Sequence, residues 1–171
     1  MTNRLFVVVV AALALTGISL VGQSKPSIQG VWRVVEITVT DPNGTAGGFA
    51  KGTHTNLQPG LLIVTGKHYA RLTDTGSKPR PTTAFKVSNK PTADEALAQW
   101  VPFQANAGTF EVSGNTLLAR PIVAKSPAVQ GDKSGTRYTL RLEGNNLWLA
   151  EVESRGIKVE NPTTIKYQRV E

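Results

Sequence analysis

Apolar and polar residues alternate over short stretches along much of the chain, which is the pattern of half-buried β-strands. The first such stretch follows the triplet Gly30-Val31-Trp32 and runs to Val39. The turn cluster Asp41-Pro42-Asn43-Gly44 comes next, and a Gly- and Thr-rich segment then reaches Asn56. We therefore predict a long first strand and a loop over residues 44–56.

Three further pairs of such stretches are separated by short turns, which predicts three β-hairpins. They lie within residues 61–72, 109–120 and 138–152, and a last strand is expected over residues 164–170. Residues 76–81 contain too much proline for a sheet interior and should form a loop. The total is about eight strands, a number at which an antiparallel up-and-down barrel closes around a small ligand or a packed interior.

One short helix is predicted in this otherwise all-β chain. Thr92-Ala93-Asp94-Glu95 has the form of a capping box, in which the Thr hydroxyl and the Glu carboxylate satisfy free amides of the first turn. The helix should run through Trp100 and end before Pro102. Leu97 and Trp100 share a face, and we expect that face to pack against the barrel rather than to gate its opening.

The first strand leaves its inward face open to two interpretations. If Trp32 points into the barrel, alternation also sends Val34, Glu36 and Thr38 inward and makes the lumen more polar towards its mouth. The opposite face is at least as apolar and consists of Val31, Val35, Ile37 and Val39. Either the helix covers that face, or the inward assignment is reversed.

The N-terminus has the features of a secretory signal. Arg4 precedes an apolar run over residues 5–15, and small residues follow up to Ser24. The run through Val21 is close to the roughly 18 residues that span a bilayer, so an uncleaved anchor is the alternative. We expect cleavage near Ser24, a mature domain over residues 25–171, and a periplasmic or secreted protein without stable membrane insertion.

Length and charge narrow the classes of function. The chain of 171 residues has a one-domain length and contains no cysteine, which excludes disulfides, thiolate metal sites and cysteine nucleophiles. The formal charge is +7, from 19 basic and 12 acidic residues, which favours anionic partners. The basic residues are scattered and not interleaved with aromatic residues, so nucleic-acid binding is not expected.

Two segments resemble known proteins. Gly30-Val31-Trp32 looks like the first-strand signature of lipocalins. Residues 93–112 resemble the bacterial lipocalin-like domain family, in which a helix leads into an Ala-Gly-Thr-Tyr-Glu-Val-type strand, and the likeness covers roughly residues 28–170. Related sequences often have histidines where this chain has Leu118-Ala119-Arg120-Pro121, so no role of those histidines is carried over. The resemblance implies a calycin-type barrel and says little about substrate.

Within such a barrel, some residues have expected roles. Trp32 and Arg169 are expected to stack at the closed end, a structural cation–π contact of about 0.5–2 kcal/mol. An arginine in an apolar lumen would hold a carboxylate or phosphate, because its planar donors match those anions. Most arginines on strands are simply solvated. The candidate ligand-binding residues are Tyr69, Arg71, Trp100, Phe103 and Arg120.

No catalytic or metal site is predicted, and no cofactor. His54 and His68 do not form a recognised metal-ligand spacing, and the sequence has no nucleophile elbow, phosphate loop or dinucleotide fingerprint. Three hypotheses remain, in falling order. The first is a protein that binds a small apolar or amphipathic molecule, with an anionic molecule as one option. The second is a filled barrel that acts as an envelope interaction or inhibitor module, and the third is an enzyme of unknown chemistry. The oligomeric state stays open.

Overall fold

Strands make up most of the part of the chain that the structure describes. The structure is a computed structural model and describes residues 27–43, 49–80 and 91–171. The predicted signal segment, residues 1–24, and the start of the mature domain lie outside these ranges. The elements are β1 (Gly30–Val39), β2 (Gly52–His54), β3 (Gly60–Val64), β4 (His68–Asp74), α1 (Ala93–Trp100), β5 (Phe103–Ser113), β6 (Thr116–Ala124), α2 (Pro127–Gln130), β7 (Thr136–Glu143), β8 (Asn146–Ser154), β9 (Ile157–Lys158) and β10 (Thr164–Arg169).

Eight of these strands close into an antiparallel barrel. Their order is β1, β3, β4, β5, β6, β7, β8 and β10, and the last strand pairs with both β8 and β1. The short strands β2 and β9 are added beside β1 and β8. The predicted all-β barrel of about eight strands and its three hairpins are therefore confirmed.

One segment that was predicted to be a loop contains a short strand, and a short helix lies between two of the barrel strands. Strand β2 lies in the Gly- and Thr-rich segment, where it pairs with the upper part of β1. The four-residue helix α2 lies between β6 and β7. Residues 44–48 of the Gly- and Thr-rich segment and residue 81 of the proline-rich loop are outside the described ranges.

One end of the barrel is closed by packed side chains. Trp32 is fully buried there, and its indole nitrogen donates to the carbonyl of Ile28 at 2.8 Å. The guanidinium carbon of Arg169 lies 4.1 Å from the centroid of the Trp32 ring, so the expected contact is present. Arg169 also donates to the carbonyl of Ser27 at 2.7 Å, which ties the segment before β1 to the last strand.

The main core fills the barrel next to this closed end. Its buried side chains come from strands all around the barrel and include Trp32, Leu62, Val64, Leu117, Leu147 and Tyr167. A fully buried side chain of this size contributes about 1.5–3 kcal/mol. This packing holds the barrel together without any cysteine.

A β-bulge in β1 changes which residues face the core. The register against β10 shifts between Val34 and Glu36, so the strand carries one extra residue there. Before the bulge, Trp32 and Val34 pack against the main core. Beyond it, Ile37 and Val39 are buried in a second cluster. A bulge inverts strand alternation, so each half of β1 buries a different face.

The bulge overturns one sequence-based expectation. Glu36 and Thr38 were expected to point into the lumen, but beyond the bulge they lie on the face opposite to the buried residues. The hydroxyl of Thr38 lies 3.1 Å from that of Thr53 on β2. Neither of the two interpretations offered for β1 is right, because the inward face changes half-way along the strand.

Helix α1 has the predicted ends but not the predicted packing. Its capping box is present: the hydroxyl of Thr92 accepts from the backbone of Glu95 at 3.3 Å, and the Glu95 carboxylate accepts from the backbone of Thr92 at 2.9 Å. None of its residues is buried, and Leu97 and Trp100 remain 56% and 57% exposed. The expectation that this face packs against the barrel is therefore wrong. Within the described ranges, neither helix has the length and hydrophobicity to cross a bilayer.

Candidate functional site

A cavity of about 280 Å³ lies at the end of the barrel opposite Trp32. Its apolar wall is formed by Ile37, Phe49, Leu149, Val159 and Ile165. Its polar lining comes from Arg71, Tyr138, Glu151 and Tyr167, which face inward from the barrel strands, and from Thr75, Asn161 and Thr163. The cavity thus combines an apolar wall with a few converging polar groups, which is the usual composition of a small-molecule site.

Strand alternation brings these polar side chains together. On β4, the inward positions are Tyr69, Arg71 and Thr73, because the residues between them face outward. On β7 and β8, Tyr138 and Glu151 are directly paired across the two strands. Tyr167 enters from β10, which closes the barrel. The site therefore exists only in the closed barrel.

Arg71 is partly buried and has few partners for its donors. Its Nη1 donates to the hydroxyl of Tyr138 at 3.3 Å. Among the described residues, it forms no ion pair. The pKa of Arg71 is raised, chiefly by Tyr138, so the side chain is charged at every ordinary pH. A guanidinium has five N–H donors, so most of them are available to a ligand.

The hydroxyl of Tyr167 is buried and has no hydrogen-bond partner in the described part of the chain. Burial raises the pKa of Tyr167 to about 12, and the nearby charge of Arg71 opposes this rise. Burial raises the pKa of Tyr138 as well. Both hydroxyls therefore keep their protons at neutral pH and can donate to an acceptor in the cavity.

Glu151 places a negative charge in the same cavity. Its carboxylate has no hydrogen bond or ion pair with any residue of the described ranges. Its charge nevertheless acts at short range, because it raises the pKa of both Arg71 and Tyr138. The cavity thus holds one positive and one negative side chain that do not bind each other directly.

Arg71 and Tyr138 form the floor of the cavity. The same two residues also border a second void of only about 30 Å³, which lies deeper in the barrel among core side chains such as Leu62, Leu117 and Leu147. That void holds about one water molecule at most. The lumen is therefore filled below the floor and open above it.

The structure brings only one of the five candidate ligand-binding residues to the main cavity. Arg71 lines it, whereas Tyr69 lies at the smaller void below the floor. Trp100 and Phe103 border a separate depression next to α1. Both residues therefore lie outside the main cavity.

Arg120 points away from the lumen. On β6, Leu117 and Ala119 are buried, so alternation directs Arg120 outward. Its guanidinium forms an ion pair with Glu111 at 2.7 Å on the outer face. The expectation that Arg120 contacts a ligand in the barrel does not agree with this placement.

The site residues predicted from the sequence did not include Tyr138, Glu151 or Tyr167. The signal for Tyr167 was present, since it stands two residues before Arg169, which was expected at the Trp32 contact. Glu151 likewise continues an inward series on β8 after the buried residues Leu147 and Leu149. A carboxylate at the end of an apolar inward series indicates a polar chamber.

Comparison with protein-family profiles gives no match, and no curated protein matches the sequence. Neither histidine lines the cavity, although the ring of His54 packs on the ring of the lining residue Phe49, with 4.8 Å between the ring centroids. His54 contacts the carbonyl of Ala50 at 2.8 Å, and His68 is exposed at the start of β4. Within the described ranges, no three His, Asp or Glu side chains come together as metal ligands.

Proposed function

We propose that this protein is an exported, lipocalin-like barrel that binds a small amphipathic molecule with an acidic group. The acidic group binds Arg71, and the apolar part of the ligand lies against the wall around Phe49 and Ile165. The observation that carries the proposal is the charged, partly buried guanidinium on the floor of an apolar cavity, without an ion pair among the described residues.

The size of the cavity limits the ligand. Its volume of about 280 Å³ is near the lower end of the roughly 300–1,000 Å³ of small-molecule sites. The chamber cannot extend downward, because the lumen below Arg71 and Tyr138 is filled. The ligand is therefore small and enters with its acidic group first.

Export and the lipocalin-like relationship belong to the same proposal. Export rests on the apolar run at residues 5–15 and the small residues that follow it. The relationship rests on Gly30-Val31-Trp32 and on the helix-to-strand segment at residues 93–112. The closed eight-stranded barrel is compatible with a calycin-like fold.

Native mass spectrometry tests the proposal directly. The protein is purified from cells that express the full-length chain, and any bound molecule is extracted and identified. We expect a stoichiometric small adduct with an acidic group on the wild-type protein and on the Arg120→Met control, which changes an outward arginine. The Arg71→Met variant should lose it. An adduct that persists in Arg71→Met, or a bare protein that also takes up no small fluorescent carboxylic acid probe, would contradict the proposal.

A second candidate function is an interaction module that acts through the outer surface. Leu61 and Leu72 are paired on neighbouring strands, face outward, and are each 41% exposed. Ile63, which pairs with Ala70, continues this apolar face. Contiguous exposed apolar surface of this kind is typical of protein–protein contacts. This candidate predicts an empty cavity, so the same mass measurement separates it from the first.

A further inference from the structure

The cavity contains a negative charge that binding of a simple acid does not use. Arg71 and Glu151 are the charged residues in its lining, so the wall has no net charge. Glu151 has no partner in the described ranges, although it lies close enough to Arg71 and Tyr138 to raise the pKa of each. A simple anion would be attracted by Arg71 and repelled by Glu151.

We infer that the ligand is a small zwitterion that carries an ammonium group as well as the acidic group. The carboxylate binds Arg71, and the ammonium binds Glu151. This inference rests on the proposed function and adds the second charge. Each charge of the ligand then faces an opposite charge in a partly desolvated cavity, where such interactions are stronger than in water.

The neutral polar groups of the cavity suit this arrangement. The hydroxyls of Tyr138 and Tyr167 keep their protons, and that of Tyr167 is buried without a partner in the described part of the chain. Together with Arg71 they offer donors to a carboxylate. An ammonium group has only donors and needs acceptors. Glu151 provides them, and Asn161 lies in the same lining.

The remaining wall defines the rest of the ligand. Ile37, Phe49 and Ile165 surround space for one apolar group, and the total volume of about 280 Å³ leaves no room for a long acyl chain. The simplest molecule with this layout is an α-amino acid with an apolar side chain. A long-chain fatty acid or a phospholipid fits neither the size nor the charges.

Isothermal titration calorimetry on the purified full chain tests the inference with three matched compounds. Phenylalanine carries both charges, 3-phenylpropionate lacks the amine, and 2-phenylethylamine lacks the carboxylate. We expect phenylalanine, or leucine in a parallel titration, to bind at least roughly tenfold more tightly than its singly charged analogues, since the loss of one hydrogen bond to a charged group has at least this effect. This comparison needs no variant and so does not depend on whether a mutant folds.

Two variants assign the charges. Glu151→Gln should weaken phenylalanine binding roughly tenfold and leave 3-phenylpropionate binding unchanged or stronger. The control Glu111→Gln, which removes an outer carboxylate, should change neither affinity. Circular dichroism confirms that each variant is folded.

The outcomes separate this inference from the proposed function. If 3-phenylpropionate binds as tightly as phenylalanine, the ligand is a simple acid, and only the zwitterion inference is overturned. The same holds if no amino acid binds while a fluorescent acid probe still binds in an Arg71-dependent way. If neither the amino acids, their analogues nor the probe bind, both proposals are overturned.

Discussion

At the residue scale, the buried hydroxyl of Tyr167 destabilises the ligand-free barrel. It is buried at the base of the main cavity and has no hydrogen-bond partner in the described ranges. An unsatisfied buried hydroxyl costs about 1–3 kcal/mol. A bound molecule that accepted a hydrogen bond from this hydroxyl would remove that cost.

Replacing Tyr167 by phenylalanine should therefore separate stability from binding. We expect the ligand-free Tyr167→Phe variant to be more stable than the wild type by about 1 kcal/mol, because the unsatisfied hydroxyl is gone. Its affinity for the acidic group of the ligand should fall by about tenfold, which corresponds to the loss of one hydrogen bond to a charged group. Urea unfolding and calorimetry measure the two effects.

The matched control for this change is Tyr138→Phe. The hydroxyl of Tyr138 accepts a hydrogen bond from Arg71 at 3.3 Å, so its removal leaves a donor without a partner. We expect this variant to lose stability. A Tyr167→Phe variant that is as destabilised as Tyr138→Phe would mean that the Tyr167 hydroxyl is satisfied in solution.

At the scale of the elements, strand β1 depends on the glycine at its first position. Gly30 has a φ of +138°, which side-chain-bearing residues rarely adopt. A Cβ atom there would also overlap the guanidinium of Arg169 and the backbone carbonyl of Glu171. This explains the glycine of the Gly-Val-Trp triplet: the last strand passes directly over it on the way to the Trp32 contact.

We expect Gly30→Ala to lower the free energy of unfolding by about 2 kcal/mol or more, since it adds both backbone strain and an overlap. The control is Gly66→Ala in the turn between β3 and β4, where a Cβ would meet no atom within 4 Å. Urea unfolding of both variants measures the difference. Equal stability of the two would show that the end of β10 moves away from Gly30 without cost.

Local signals explain which elements were predictable from the sequence. The capping box of α1 and the turns of the hairpins depend on residues that are close in sequence, and they were found. The bulge in β1 becomes visible only in the pairing with β10, which lies far away in the chain. On β6, alternation alone does not decide whether Leu117 and Ala119 or Leu118 and Arg120 face inward, so Arg120 was misplaced.

At the scale of the whole molecule, the site depends on closure of the barrel. Arg71 and Tyr138 are 67 residues apart in sequence, and Tyr167 joins them through a strand that pairs on both of its sides. The sequence therefore allowed Arg71 to be proposed as a ligand-binding residue, because apolar neighbours surround it. It did not reveal its partners, because no local pattern links strands that meet only in the folded barrel.

Closure also buries tyrosines, and this makes stability depend on pH in the alkaline range. Burial raises the pKa of Tyr69 and of Tyr167 from 10.0 to about 12. Between these values the folded state keeps protons that the unfolded state releases, so the free energy of unfolding falls as the pH rises. The stability lost as the pH rises through this interval is roughly 2–3 kcal/mol for each tyrosine, and little of it is lost below pH 10.

We expect ionisation of these tyrosines to leave the free energy of unfolding, measured with urea, nearly unchanged up to pH 9.5. Between pH 10 and pH 12 the free energy of unfolding should fall steeply. The Tyr167→Phe variant lacks one titrating group. Its free energy of unfolding should therefore fall by about 2 kcal/mol less than that of the wild type over the same pH interval. If the free energy of unfolding fell equally with pH in the wild type and the variant, Tyr167 would be accessible to water in the folded state.

The floor formed by Arg71 and Tyr138 separates two tasks along the barrel axis. Side chains below it, such as Leu62 and Leu147, belong to the core that holds the fold together, whereas Phe49 and Glu151 above it border the open chamber. Phe49 is itself buried together with Ile37 and Val39, so a change in the apolar wall is expected to cost stability, whereas a change at Glu151 is expected to have little effect on folding. Under the proposed function, redesign of the barrel for another ligand would therefore begin at Glu151 and not at the apolar wall.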